Sequence, residues 1–190
     1  LIGTRPLTLG GVTTGVAGAL SGGSDTAMSF AGSSASRAGS ASSRPAKATD
    51  LTVQAWFRTS TTRGGKIIGY GNSQTGTSSS YDRHVFMDNA GRLHFGVLYG
   101  SVKSVVTSTQ SYNDNVWHQV TATLGADGMK LYVDGAVVAS RADATRAIEY
   151  PGFWRIGGDS LSGWANRPAS DWFSGSIDEV AIYQRVLDPA

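Results

Sequence analysis

The chain has no cysteine. That one absence removes thiolate metal sites, thiol catalysis and disulfide staples together, and it leaves the redox compartment open. Glutamate is scarce too: Asp supplies 12 of the 14 acidic side chains, and only Glu149 and Glu179 are Glu. Charged residues make up 16% of the chain, well under the roughly 25% usual for a globular domain. The net charge is +2. The basic residues stand singly (Arg37, Arg44, Lys47, Arg58, Arg63, Lys66), and with no basic stripe there is no case for nucleic acid as a partner. No run of about 18 apolar residues occurs, so no membrane span is expected. Helical periodicity is nearly missing.

What is present suits a single domain. At 190 residues and 40% hydrophobic composition the chain can bury a core without staples or a structural metal. Gly, Ser, Thr and Ala fill the place of charge and predict a neutral, hydroxyl-rich surface of the kind common in exported proteins. The chain begins Leu1-Ile2-Gly3 with no leader peptide, which reads as a domain cut from a longer protein whose other domains and export signal lie outside it.

Short alternating or apolar runs punctuated by Gly, Asn and Asp predict a β-sandwich. In Leu51–Arg58 the residues Leu51, Val53, Ala55 and Phe57 share one face, with Thr52, Gln54, Trp56 and Arg58 opposite. Further strands are expected at 27–30, 66–70, 84–88, 92–99, 103–107, 117–124, 129–133, 136–140, 153–156 and 176–183. Asn89-Ala90-Gly91 predicts a hairpin, and Asp127-Gly128 and Asp134-Gly135 predict the sharpest turns. Three segments resist a strand reading and are expected as long rim loops, where sandwiches carry function: 31–49, 71–80 and 157–171. Residues 1–9 are expected to be a linker or edge segment, 10–187 the domain, and 188–190 the start of a linker.

Four ordered motifs then stand out: Thr52-Val-Gln-Ala-Trp56-Phe, Trp117-His-Gln-Val120, Leu131-Tyr-Val-Asp-Gly135 and Gly175-Ser-Ile-Asp-Glu-Val-Ala-Ile-Tyr183. With Gly18-Ala-Leu20 and Phe30-Ala-Gly-Ser33 they resemble the laminin G-like jelly-roll domains of the concanavalin A-like lectin/glucanase superfamily, over about residues 10 to 187. The resemblance implies an all-β fold of two antiparallel sheets. It leaves function open, because one fold hosts many functions.

Catalysis is weighed first. Glycoside hydrolysis needs two carboxylates facing one bond, and the hydrolytic branch of the superfamily sets them alternating on one strand. No strand here shows that alternation. Asp178 and Glu179 are adjacent and are expected on opposite faces. His84, His94 and His118 have no Ser in a nucleophile-elbow context and no zinc spacing, and are expected as strand residues. Calcium is the better metal hypothesis, because it takes oxygen ligands alone. The resemblance implies Asp178 as the anchor of a structural calcium site, with a carbonyl of Gly32 or Ser33. Ala31 stands where the family often has Asp, and Asp25 is the candidate to compensate.

The aromatics divide. Trp56 and Trp117 are expected in the core and Trp154 is ambiguous. Trp164 and Trp172 lie in or beside a loop that also offers Asp159, Asn166, Arg167 and Asp171, a patch suited to a glycan or protein ligand. The alternative is that both indoles fold back and close the end of the sandwich. Tyr81, followed by Asp82 and Arg83, is a second candidate. The expected function is a non-catalytic recognition module, secreted or at the cell surface, that binds a glycan or an extracellular or cell-surface protein through its rim loops. A structural spacer or adhesion domain without a ligand is the alternative, and a glycan-active enzyme the least favoured reading.

Overall fold

The computed structural model describes residues 6–20 and 24–187. Its strands are β1 Leu7–Gly10, β2 Thr13–Ala17, β3 Thr26–Ala31, β4 Arg37–Ser40, β5 Arg44–Pro45, β6 Leu51–Arg58, β7 Gly65–Gly71, β8 Tyr81–Met87, β9 Arg92–Tyr99, β10 Val102–Ser111, β11 His118–Gly125, β12 Gly128–Val133, β13 Ala136–Arg141, β14 Pro151–Ile156 and β15 Ser174–Tyr183. They form two antiparallel sheets packed face to face. The front sheet runs β1-β4-β14-β7-β8-β9-β10, with β5 paired to β14, and the back sheet runs β13-β12-β11-β6-β15-β3-β2. This is the expected jelly-roll sandwich.

Alternation explains the strands that the sequence pattern locates well. Val53, Ala55 and Phe57 of β6, Val120, Ala122 and Leu124 of β11, and Met129, Leu131 and Val133 of β12 point inward from the back sheet. Val85 and Met87 of β8 and Leu93, Phe95 and Val97 of β9 meet them from the front sheet. Each large apolar side chain so buried contributes about 1.5–3 kcal/mol.

The segment 31–49 departs from its expectation as a loop, because β4 and β5 lie inside it. The sequence Arg37-Ala-Gly-Ser40 carries no large apolar residue to mark a strand. Its backbone nonetheless pairs with β1 on one side and β14 on the other, and Ala38 and Gly39 are buried. Within the expected leading segment 1–9, β1 forms an edge strand; residues 1–5, like the expected linker at 188–190, lie outside the described residues.

Trp56 and Trp117 also depart from expectation. Both are only half-buried, since Trp56 falls on the outward parity of β6 and Trp117 precedes β11 and carries Arg58 5.1 Å over its ring.

Candidate functional site

The outward face of the front sheet is not left to solvent. Lys66, His84, Phe86, His94 and Arg155 point away from the core and are all fully buried. Two loops cover them: 72–80, between β7 and β8, and 157–173, between β14 and β15. Buried charge laces the loops together. Arg155 Nη1 donates to the carbonyls of Ser73 at 2.7 Å and Gly76 at 3.1 Å. Asp159 Oδ1 accepts the amides of Ser78 at 2.9 Å and Ser160 at 2.8 Å. Three donors from the sheet then grip the second loop: Lys66 Nζ on Ser160 O at 2.8 Å, Tyr81 Oη on Ser162 O at 2.9 Å, and Lys103 Nζ on Gly163 O at 2.7 Å.

That grip seats the next residue, Trp164, with 4% of its surface exposed. Its ring stands edge-on to His84 at 4.2 Å between centroids, with Lys103 Nζ 5.5 Å from its own centroid. Gly96 makes room for it, because a Cβ there would lie 2.7 Å from the indole. Burial holds the Lys66 ammonium down at about 8, against the opposing pull of Asp159. Burial, then the positive charges of Lys66 and Lys103, hold His84 well below the ordinary imidazole range. Neither ring nitrogen of His84 has a hydrogen-bond partner among the described residues.

A cleft of about 240 Å³ opens beside Trp164. Tyr81, Tyr150 and Trp164 wall it, Leu98 and Ile148 give an apolar side, and Ser79, Ser80 and Lys103 supply polar groups. Beneath it, Tyr150 Oη lies 3.0 Å from Asp82 Oδ1, which pairs with Arg83 Nη1 at 2.6 Å. Burial raises the Asp82 carboxyl to about 6 even though Arg83 opposes the shift.

The patch expected from the 157–171 loop is therefore rearranged. Trp164 and Tyr81 do meet at the cleft. Asp159 is fully buried and holds backbone amides, so it is a clamp and offers nothing to an external ligand. Asn166 is exposed in a left-handed turn, φ 58°. Arg167 is tied to Asp171 by two 2.9 Å bonds, so each occupies the other. Trp172 is half-buried over Gly158, in a short bridge to Lys66. These five, Asp159, Asn166, Arg167, Asp171 and Trp172, do not line the cleft. Sequence reasoning missed Lys103, Tyr150, Leu98 and Ile148; the one signal for them was Gly96, a glycine inside a strand, which marks a close approach by something else.

A second cluster lies across the back sheet. Asp25, Asp178 and Glu179 bring one carboxylate oxygen each within 4.8 Å of one another. The expectation that Asp178 and Glu179 face opposite ways is overturned by a β-bulge. β15 slips register against β6 between Asp178 and Ala181, with Glu179 in left-handed backbone at φ 45°. The extra residue breaks the two-residue period. The hairpin turn after β2 closes over the group: Ala19 N donates to Asp178 Oδ2 at 2.8 Å and Leu20 N to Asp25 Oδ2 at 3.0 Å. Gly18 passes so close that a Cβ there would lie 2.8 Å from Asp178 Oδ2. Gly32 and Ser33 do not join this cluster. β3 and β15 are antiparallel, which places Gly32 against Ser174, four residues along β15 from Asp178, or roughly 13 Å at strand rise. The donor set fits a hard cation: it is all oxygen, and none of the three carboxylates has an ion-pair partner among the described residues.

This architecture, two antiparallel jelly-roll sheets with loops folded over one outer face, defines a concanavalin A-like sandwich. Residues 30–190 match the laminin G-like family model described as the concanavalin A-like lectin/glucanases superfamily, and the chain belongs to that family. No curated sequence matches the chain significantly. Among solved structures it is similar to a heptameric pentraxin from Limulus polyphemus (17% identity, 87% of this chain and 78% of that one, TM-score 0.63). It is also similar to the CBM40 domain of a Ruminococcus gnavus sialidase, solved with bound α2,3-sialyllactose (21%, 75% and 79%, 0.58). A third is domain 4 of an extracellular arabinanase from Geobacillus stearothermophilus, in complex with arabinotriose (13%, 98% and 85%, 0.60). At these identities the likeness establishes the fold. No helix among the described residues is long and apolar enough to cross a membrane.

Proposed function

We propose that this domain is a non-catalytic glycan-binding module of a larger extracellular protein, and that its ligand seats in the cleft beside Trp164. The cleft is the observation that carries the reading. Aromatic walls, an apolar side and a few hydroxyl and ammonium groups make a concave surface suited to a ring with one apolar face and a polar edge. Two of the similar structures hold oligosaccharides. Among the described residues no carboxylate lines the cleft, and Asp82 and Asp159 beneath it are fully buried, Asp82 against Arg83 and Asp159 holding backbone amides through Oδ1, so an open facing pair of the kind glycoside hydrolysis needs is not offered here. The test is a glycan array with the wild-type domain and Ser80→Trp, which fills the cleft from an exposed position. Glycans should be retained by the wild type and lost by the variant at an unchanged melting temperature. An empty array, or binding that Ser80→Trp leaves intact, overturns the reading.

We also propose a structural calcium ion held by Asp178, Asp25 and Glu179. Three clustered carboxylates repel one another, and a divalent ion would relieve that and pin the β2–β3 turn to β15. Melts in EDTA and in excess calcium check it: at a hundredfold excess over Kd a site confined to the folded state adds about 2.7 kcal/mol, and Asp178→Asn should abolish the difference. Identical melts in EDTA and calcium sink the proposal.

A further inference from the structure

We infer that the cleft beside Trp164 selects an anionic saccharide, one bearing a carboxylate or a sulfate, over a neutral one; this rests on the glycan reading. The charges around the cleft are unbalanced in a specific way. Lys103 is exposed and lines it, and Arg146 stands two residues before Ile148, another lining residue. Neither forms an ion pair among the described residues. Both are nonetheless held in place over aromatic rings: Lys103 Nζ over Trp164 at 5.5 Å, and the Arg146 guanidinium over Tyr99 at 5.3 Å, with Nη1 3.2 Å from the Tyr99 hydroxyl. Stacking of this kind orders a cation without neutralising it.

Lys103 lines the cleft itself, whereas Arg146 stands on the segment that leads to it. Lys103 pairs with Leu98 across the β9–β10 ladder, and Ile148 N donates to Leu98 O at 2.7 Å. Of the three Lys103 protons, one is used on Gly163 O, which leaves two for a ligand. The acids nearby cannot answer these cations. Asp82 is buried against Arg83, Asp159 is fully buried with Oδ1 on two amides and Oδ2 4.0 Å from Arg155 Nη1, and Asp171 is paired with Arg167. Below the cleft floor burial, then the charges of Lys66 and Lys103, hold His84 below the ordinary imidazole range, so it adds no charge of its own against an anion. A carboxylate or sulfate entering between Tyr81 and Leu98 would meet the Lys103 ammonium already ordered, with Arg146 as a second cation on the adjoining segment, and would displace no ion-pair partner of either.

The test is calorimetric titration with an α-1,4-linked galacturonate trimer, its methyl ester and a sulfated galactose trimer. The proteins are the wild type, Lys103→Gln, Lys103→Arg and Arg146→Gln. The better of the two anionic oligomers should bind roughly tenfold more tightly than the ester, the scale of one or two partly exposed charge contacts. The gap should narrow in Lys103→Gln and in Arg146→Gln, close at high salt, and return in Lys103→Arg. Equal affinity for the ester, or a gap untouched by Lys103→Gln and Arg146→Gln, overturns the inference while leaving the glycan reading standing. Failure of Lys103→Arg to restore the gap assigns Lys103 to holding the loop and also overturns it. If none of the trimers binds while neutral array glycans do, charge selection falls; if nothing binds at all, it is the glycan reading that falls.

Discussion

The two outer faces of this sandwich are built from strands of the same kind and have opposite fates. On the back sheet the outward residues Gln54, Trp56, Thr121 and Lys130 are half-buried and meet solvent. On the front sheet Lys66, His84, Phe86, His94 and Arg155 occupy the same outward parity and are sealed beneath two loops. The back face is mostly a surface, sealed only locally, as at Thr52 beneath residues 185–187 and at Asp178 beneath Ala19. The front face is a second, polar core, in which each long side chain has been assigned a backbone carbonyl, an acid or an aromatic ring. A binding cleft needs walls that do not move, and the front face supplies them by burying the groups that position the loop. The proposed recognition site therefore lies on the front, while the acidic cluster at the back lies beneath the backbone that follows β2.

The sharpest way to break this comparison is a matched pair of deletions. Trp164→Ala should cost about 3–5 kcal/mol in denaturant unfolding, as for a large buried aromatic, whereas Trp56→Ala, on the open face, should cost well under half of that. Equal costs would mean that the front face is not a packed layer.

Next in size is Lys66. Its folded pKa of about 8 lies below the 10.5 of an unfolded lysine, so the charged form is penalised in the fold. The unfolded chain binds more protons between those values, and stability rises with pH across that interval by about 3 kcal/mol at most. Tyr70 and Tyr150, both raised chiefly by burial, act in the opposite sense above their unfolded value of 10.0, so the maximum should fall between pH 9 and 10. Lys66→Met should flatten the rise from pH 8. A wild-type profile that declines steadily from pH 8 would contradict the sealed environment assigned to Lys66.

How much of this was legible varies with the kind of information needed. β6 and β9 follow from alternation, and their observed limits, Leu51–Arg58 and Arg92–Tyr99, coincide with the expected ones. The motif around β15 located the fold. β4 was hidden, because Ala38 and Gly39 are buried by backbone pairing and carry almost no side chain to betray it. Asp178 and Glu179 were misread because the two-residue period assumes an unbroken ladder, and a bulge is a property of two strands together. Gly32 and Ser33 were misplaced for a related reason: an antiparallel register decides which end of β3 lies beside Asp178. The candidate site was half visible. Trp164 and Tyr81 were identified, but their cleft partners come from β9, β10 and the approach to β14, and only the folded loop brings them together.

The smallest effect is also the cleanest discriminator between the faces. Gln54 and Thr121 sit opposite one another on the back sheet, both half-buried. Phe86 and His94 sit opposite one another on the front sheet, stacked at 4.7 Å and fully buried. Strand parity treats the two pairs alike. Gln54→Thr should therefore change unfolding free energy by no more than about 0.5 kcal/mol, as expected for a substitution away from caps, cavities and buried polar groups. Phe86→Thr should cost several times more, since it opens a void beneath the loops. If Gln54→Thr proved as costly as Phe86→Thr, the back face would have to carry a packed layer of its own, and its half-exposed Trp56 would become a second candidate for ligand contact.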